Sequence, residues 1–117
     1  MERKILIIVS FALLALVGFV IARNDLTVGS LQPGSVLLYQ QTYNRTGVAG
    51  QMQSQDVFYT NPLRNITRIR ALDLNANGTG GFASIVSGGV GFRNVTIRLQ
   101  SSAIGRGFTF FVDIYGN

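Results

Sequence analysis

A chain of 117 residues with ten basic and five acidic side chains, and no His, Cys or Trp, is long enough for one domain and short of the groups most chemistry at neutral pH recruits. Zinc, haem and iron–sulfur centres lose their usual ligands, and the few scattered carboxylates suggest neither a catalytic pair nor a nucleophile beside its base. The composition therefore predicts no enzyme and no cofactor, and without disulfides apolar burial alone must hold the fold.

The chain opens with Met1-Glu2-Arg3-Lys4, followed by an unbroken apolar run from Ile5 to Ala22 and then polar Arg23-Asn24-Asp25. A short basic start, a long apolar stretch and the small or β-branched Val20 and Ala22 before the break are the parts of an export signal. Cleavage between Ala22 and Arg23 makes residues 1–22 a signal helix and residues 23–117 a secreted β-domain. If uncut, Ile5–Ala22 sits at the lower limit for spanning a bilayer, as an anchor. The processed chain loses Lys4 and Glu2 and keeps eight Arg against four Asp. Four sequons follow the leader, at Asn44, Asn65, Asn77 and Asn94, each with Thr two residues on and no Pro between. They are glycan acceptor candidates that fit an extracellular address.

From Val36 the pattern is of short β-type runs divided by turn residues, with no helical spacing. Ser35–Tyr43 and Gln55–Thr60 are the first predicted strands, the second stopped by Asn61-Pro62. Between them the small, polar Gly47–Ser54 reads as a mobile loop. Ile66–Asp73 is the third strand, with a hairpin expected at Asn77-Gly78, and Gly81–Ser87 the fourth. Val95, Ile97 and Leu99 alternate with Thr96, Arg98 and Gln100, and beyond Ser101–Gly107 Phe108, Phe110, Val112 and Ile114 alternate with Thr109, Phe111, Asp113 and Tyr115. That pattern predicts a final hairpin. Phe111 and Tyr115 on its second face suggest that this face is covered or binds something. The whole predicts an all-β fold, a single antiparallel sandwich or barrel-like domain of about six to seven short strands.

Three features invite a site. Asp73-Leu74-Asn75-Ala76-Asn77-Gly78 opens like a calcium loop, but Ser84 stands where the closing Glu belongs and the flanks read as strands, so a turn is expected. Gly80-Gly81 and Gly88-Gly89-Val90-Gly91 lack the Lys-Ser/Thr and the helix of a phosphate loop, and read as turns or bulges. Arg68 and Arg70, two apart on one strand, and Arg98 on another are the candidate surface for an anionic partner such as an acidic glycan, lipid headgroup or protein. No basic cluster supports nuclear import, and a nucleic-acid partner is not expected. An apolar second face on the last strands would also suit a homodimer.

The runs Ile66-Thr67-x-Ile69-x-Ala71-x-Asp73, Gly80-Gly81-x-Ala83-Ser84-Ile85-Val86-Ser87-Gly88-Gly89-Val90-Gly91, Val95-Thr96-Ile97-x-Leu99-x-Ser101 and Gly105-x-Gly107-Phe108-x-Phe110-x-Val112-x-Ile114-Tyr115-Gly116 resemble the multiprotein bridging factor 2 family of arthropods. The resemblance implies a short, cysteine-poor protein of the salivary or otherwise secreted type. The family's name implies the alternative, a transcription coactivator bridging a nuclear receptor to the basal machinery. No catalytic residue comes with it.

Overall fold

The computed structural model describes residues 25–75 and 80–117. The proposed leader, the Ala22–Arg23 cut and the Asn77 sequon lie outside them. Among the described residues seven antiparallel strands form two sheets: β1 (Leu26–Gly29), β2 (Val36–Arg45), β3 (Ser54–Thr60), β4 (Ile66–Asp73), β5 (Gly81–Gly88), β6 (Asn94–Ser101) and β7 (Phe108–Gly116). A four-stranded sheet runs β1-β4-β7-β2 and a three-stranded sheet runs β3-β6-β5.

The core follows from alternation. Ile69 and Ala71 of β4, Phe108, Phe110, Val112 and Ile114 of β7, and Val95, Ile97 and Leu99 of β6 are almost fully buried between the sheets, joined by Val57 of β3 and Ile66. Each of the larger side chains contributes about 1.5–3 kcal/mol on leaving water. A register shift between Ile66 and Arg68 adds a bulge at the start of β4, which is why Ile66 and Thr67 are both buried while Arg68, Arg70 and Leu72 point outward. Among the described residues every core residue lies between Val57 and Ile114 and every strand between Leu26 and Gly116.

Three sequence expectations need correction. The strands on either side of Asn77-Gly78, and those on either side of Ser101–Gly107, lie in different sheets, so the chain crosses between sheets where hairpins are expected. β4 pairs with β1 and β7, β5 with β6, and β6 with β3 and β5. These crossings share one end of the sandwich, where the Leu74 amide donates to the Thr109 carbonyl (2.9 Å) and the Ser102 amide to the Gly80 carbonyl (3.2 Å). The true hairpin is β5–β6. It turns through Gly88, Gly89 and Gly91, all at positive φ, where glycine carries no steric penalty. The Gly47–Ser54 segment, expected to be a mobile loop, gives Ser54 to β3, and the rest is held by bonds from the Gly105 amide to the Gln51 carbonyl (2.8 Å) and from the Gln53 amide to Ser101 Oγ (2.9 Å). Gly107 makes the approach possible, because a Cβ there would collide with the Arg45 carbonyl.

β1 was not foreseen. It adds four residues beside β4, pairing Leu26 with Ala71 and Gly29 with Arg68. β2, the longest strand at ten residues, is an edge strand whose inward side chains Tyr39 and Tyr43 are only half-buried.

Candidate functional site

The arginines singled out from the sequence fall on two opposite outer faces. On the four-stranded sheet, the register sets Arg70 against Asp113, Arg68 against Tyr115 and Leu72 against Phe111. Arg70 Nε donates to Asp113 Oδ1 (3.1 Å) and Nη2 to Oδ2 (2.5 Å), a fork-to-fork pair. The Asp113 side chain is 3% exposed and that of Arg70 31%. Hydrogen bonding to Asp113 holds the Arg70 guanidinium above its usual pKa. Arg68 instead lies over the Tyr115 ring, 4.8 Å from its centre, a cation–π contact. Its Nε is buried without a hydrogen-bond partner. The second face of β7 is therefore covered by side chains of its own sheet, with Phe111 and Tyr115 half-buried.

On the three-stranded sheet, Arg98 Nε and Nη2 donate to the two oxygens of Asp56 (2.8 and 3.0 Å). Both side chains stand in solvent, at 42% and 46% exposure. The hydrogen bond from Arg98 holds the Asp56 carboxyl below its ordinary pKa. Beside this pair an open depression of about 500 Å³ is lined by Arg45, Ser54, Gln55, Asp56, Arg98 and Gln100. Arg45 is steered there by bonds to Gln55 Oε1 (3.2 Å) and the Ser54 carbonyl (3.2 Å). Arg68 and Arg70 are thus neighbours, while Arg98 belongs to a separate surface with Arg45. An acidic group entering the depression meets one guanidinium bonded to neutral groups and another whose carboxylate partner can be exchanged at small cost.

Sequence reasoning missed the tyrosines along the open seam between β2 and β3. Tyr39 and Tyr43 share the inward side of β2 and their hydroxyls are hydrogen-bonded. The Tyr39 and Tyr59 rings sit 5.6 Å apart, and Asn61 Nδ2 donates to the Tyr59 hydroxyl (3.0 Å). Burial, aided by the Tyr39 hydroxyl, pushes the Tyr43 phenol well above its usual pKa. The four-residue spacing of Tyr39 and Tyr43 was the available signal, since residues four apart on a strand share a face.

Of the sequon asparagines among the described residues, Asn44, Asn65 and Asn94 are all exposed. Two of the side chains that mimic a calcium loop, Asp73 and Asn75, have other tasks. Asp73 Oδ1 accepts from the Asn75 amide (2.9 Å), and Asn75 Oδ1 from the Thr109 amide (2.8 Å), bracing the crossing. Among the described residues no three His, Cys, Asp or Glu side chains gather as a metal-binding group.

These features define a small two-sheet β-sandwich, cross-braced by arginine–aspartate pairs on both outer faces. Residues 28–116 match the model of the family described as transcription activator MBF2, and the chain belongs to that family. It is also 39% identical over 93 residues to a protein of the bumblebee Bombus ignitus named "Probable salivary secreted peptide", covering 79% of this chain and 69% of that relative. No solved structure matches the chain.

Proposed function

We propose that this protein is a small, secreted, non-enzymatic peptide that acts by binding, in saliva, venom or haemolymph. The likeness to the Bombus ignitus peptide carries the reading. Supporting it are the apolar run Ile5–Ala22 with its Ala22-Arg23 exit, the sequons and the exposed Asn44, Asn65 and Asn94. The partner is an anionic group of a protein, glycan or lipid, met at the Arg45–Arg98 depression or beside Arg68. The test is to isolate the untagged endogenous protein and determine its location and N-terminus. A chain beginning at Arg23 in secretion or haemolymph is expected; full-length protein concentrated in nuclei would overturn the reading.

The description of the family model favours one second reading, a nuclear coactivator. Its mark would be the same nuclear, uncut chain.

A further inference from the structure

The acidic side chains of the described residues leave one end of the sandwich clear. One end gathers the loop after β1, the β3–β4 connection and the β5–β6 turn, and exposes Leu31, Leu63, Val90 and Phe92, with Leu63 82% and Phe92 58% exposed. In two of these loops the apolar residue is followed directly by arginine, as Leu63-Arg64 and Phe92-Arg93. Both arginines are exposed, and neither forms an ion pair among the described residues. The aspartates of the described residues lie elsewhere. Asp113 and Asp56 are paired within the sheets, and Asp25 and Asp73 meet at the far end, where Asp25 Oδ1 accepts from the Asp73 amide (2.7 Å).

The loops hold this display rigidly. Asn61 Oδ1 accepts from the Leu63 and Arg64 amides (2.8 and 2.9 Å). The Ile66 amide donates to the Phe92 carbonyl and the Gly91 amide to the Ile66 carbonyl, each at 2.8 Å. Arg93 Nη1 reaches the Pro62 carbonyl (3.1 Å), so the two apolar-basic turns are stitched together. Apolar side chains on separate loops, each beside a cation and with no Asp or Glu among them, match the boundary between acyl chains and anionic headgroups.

We propose that this end is a membrane-contact surface for anionic lipid, inserting Leu63 and Phe92 and placing Arg64 and Arg93 among the headgroups. The proposal rests on the reading that the protein acts by binding. A glycan on Asn65 or Asn94 would be rooted next to Arg64 or Arg93 and screen the surface.

The test is sedimentation with vesicles, using the chain from Arg23 onward made without glycans. Vesicles of phosphatidylcholine alone are compared with vesicles containing about a third phosphatidylglycerol, at low and high salt. Binding is expected only to the anionic vesicles and to weaken with salt. Leu63→Ser with Phe92→Ser should reduce it roughly tenfold or more, and Arg64→Gln with Arg93→Gln should remove the anionic preference. Val48→Ser with Ile104→Ser, exposed at the far end, should leave it intact, and glycans on both Asn65 and Asn94 should weaken it. All these side chains are exposed, so every variant should fold, and unfolding midpoints check this directly. No vesicle binding, equal binding to neutral vesicles, or equal loss from the far-end variant would overturn the proposal. A protein partner would appear as the first of these. None of these results changes where the endogenous protein is found or where its N-terminus lies, so failure here is separable from failure of the secreted reading.

Discussion

The two outer faces of the sandwich use one device in two environments. Each sets an arginine against an aspartate on the neighbouring strand, Arg70 with Asp113 and Arg98 with Asp56, both through two donor nitrogens. On the four-stranded sheet the carboxylate is almost fully covered; on the three-stranded sheet it is 46% exposed. Identical chemistry thus has different consequences. A covered carboxylate deprived of its partner has no water to turn to, whereas an exposed one exchanges partners with little change in free energy. The Arg70–Asp113 pair therefore acts as part of the architecture, and the Arg98–Asp56 pair as an exchangeable surface.

The strongest way to break this comparison is Asp113→Ala. It removes both accepting oxygens and leaves the guanidinium of Arg70 on a half-covered face. Because the Arg70 side chain keeps 31% exposure and can turn toward water, we expect a loss of about 2 kcal/mol in urea unfolding, below the cost of stranding a fully buried charge. A loss no larger than that of Asp56→Ala would erase the distinction between the faces. Next in size is Tyr115→Leu, which keeps most of the apolar cover and deletes the ring beneath Arg68. A loss of about 0.5–1 kcal/mol is expected. Repeating the change in an Arg68→Met background isolates the cation–π contribution, since the two losses should then fail to add.

The contrast between faces also marks how far the sequence could be read. Ile66–Asp73 is predicted with the boundaries it has, because Ile69 and Ala71 alternate with Arg68, Arg70 and Leu72 and only a strand puts one set inside. Asp113, between Phe111 and Tyr115, was visible as an acid on an aromatic face. That it meets Arg70 was not, because the partner is set by the β4–β7 register and lies 43 residues away. The crossings were misread for a related reason. Asn-Gly and glycine-rich stretches mark a change of direction equally well in a hairpin and between sheets. The long connections 74–80 and 102–107 were the clue, since the tightest hairpins turn in about two residues. β1 has only Leu26 and Val28 as its half-buried pair, too short an alternation to stand out. The Arg45–Arg98 depression joins the end of β2 to β3 and β6 across two sheets, a juxtaposition no local pattern encodes.

The smallest expected effect sharpens the comparison most. Asp56→Asn deletes an exposed carboxylate, so the unfolding midpoint at neutral pH should stay close to that of the parent chain. Its pH dependence has a definite sign. Arg98 lowers the native pKa of Asp56, so the pair's contribution is fully present above the unfolded aspartate value of about 3.9 and is lost as pH falls through the lower native value. Any small gap between parent and variant at neutral pH should therefore close in acid, and a gap that widens on acidification would contradict the pairing. The same substitution releases Arg98 beside Arg45. Retention on a sulfated polysaccharide column should rise for Asp56→Asn and fall for Arg98→Gln, both differences shrinking with added salt. The corresponding change on the other face, Asp113→Asn, should alter stability far more than retention, because the covered Asp113 braces its sheet while the Arg70 it releases has as its neighbour an Arg68 laid on the Tyr115 ring instead of a second guanidinium lining an open depression. If instead Asp113→Asn raised retention as much as Asp56→Asn, the exchangeable surface would have to include both faces, and the burial of Asp113 would not be what separates them.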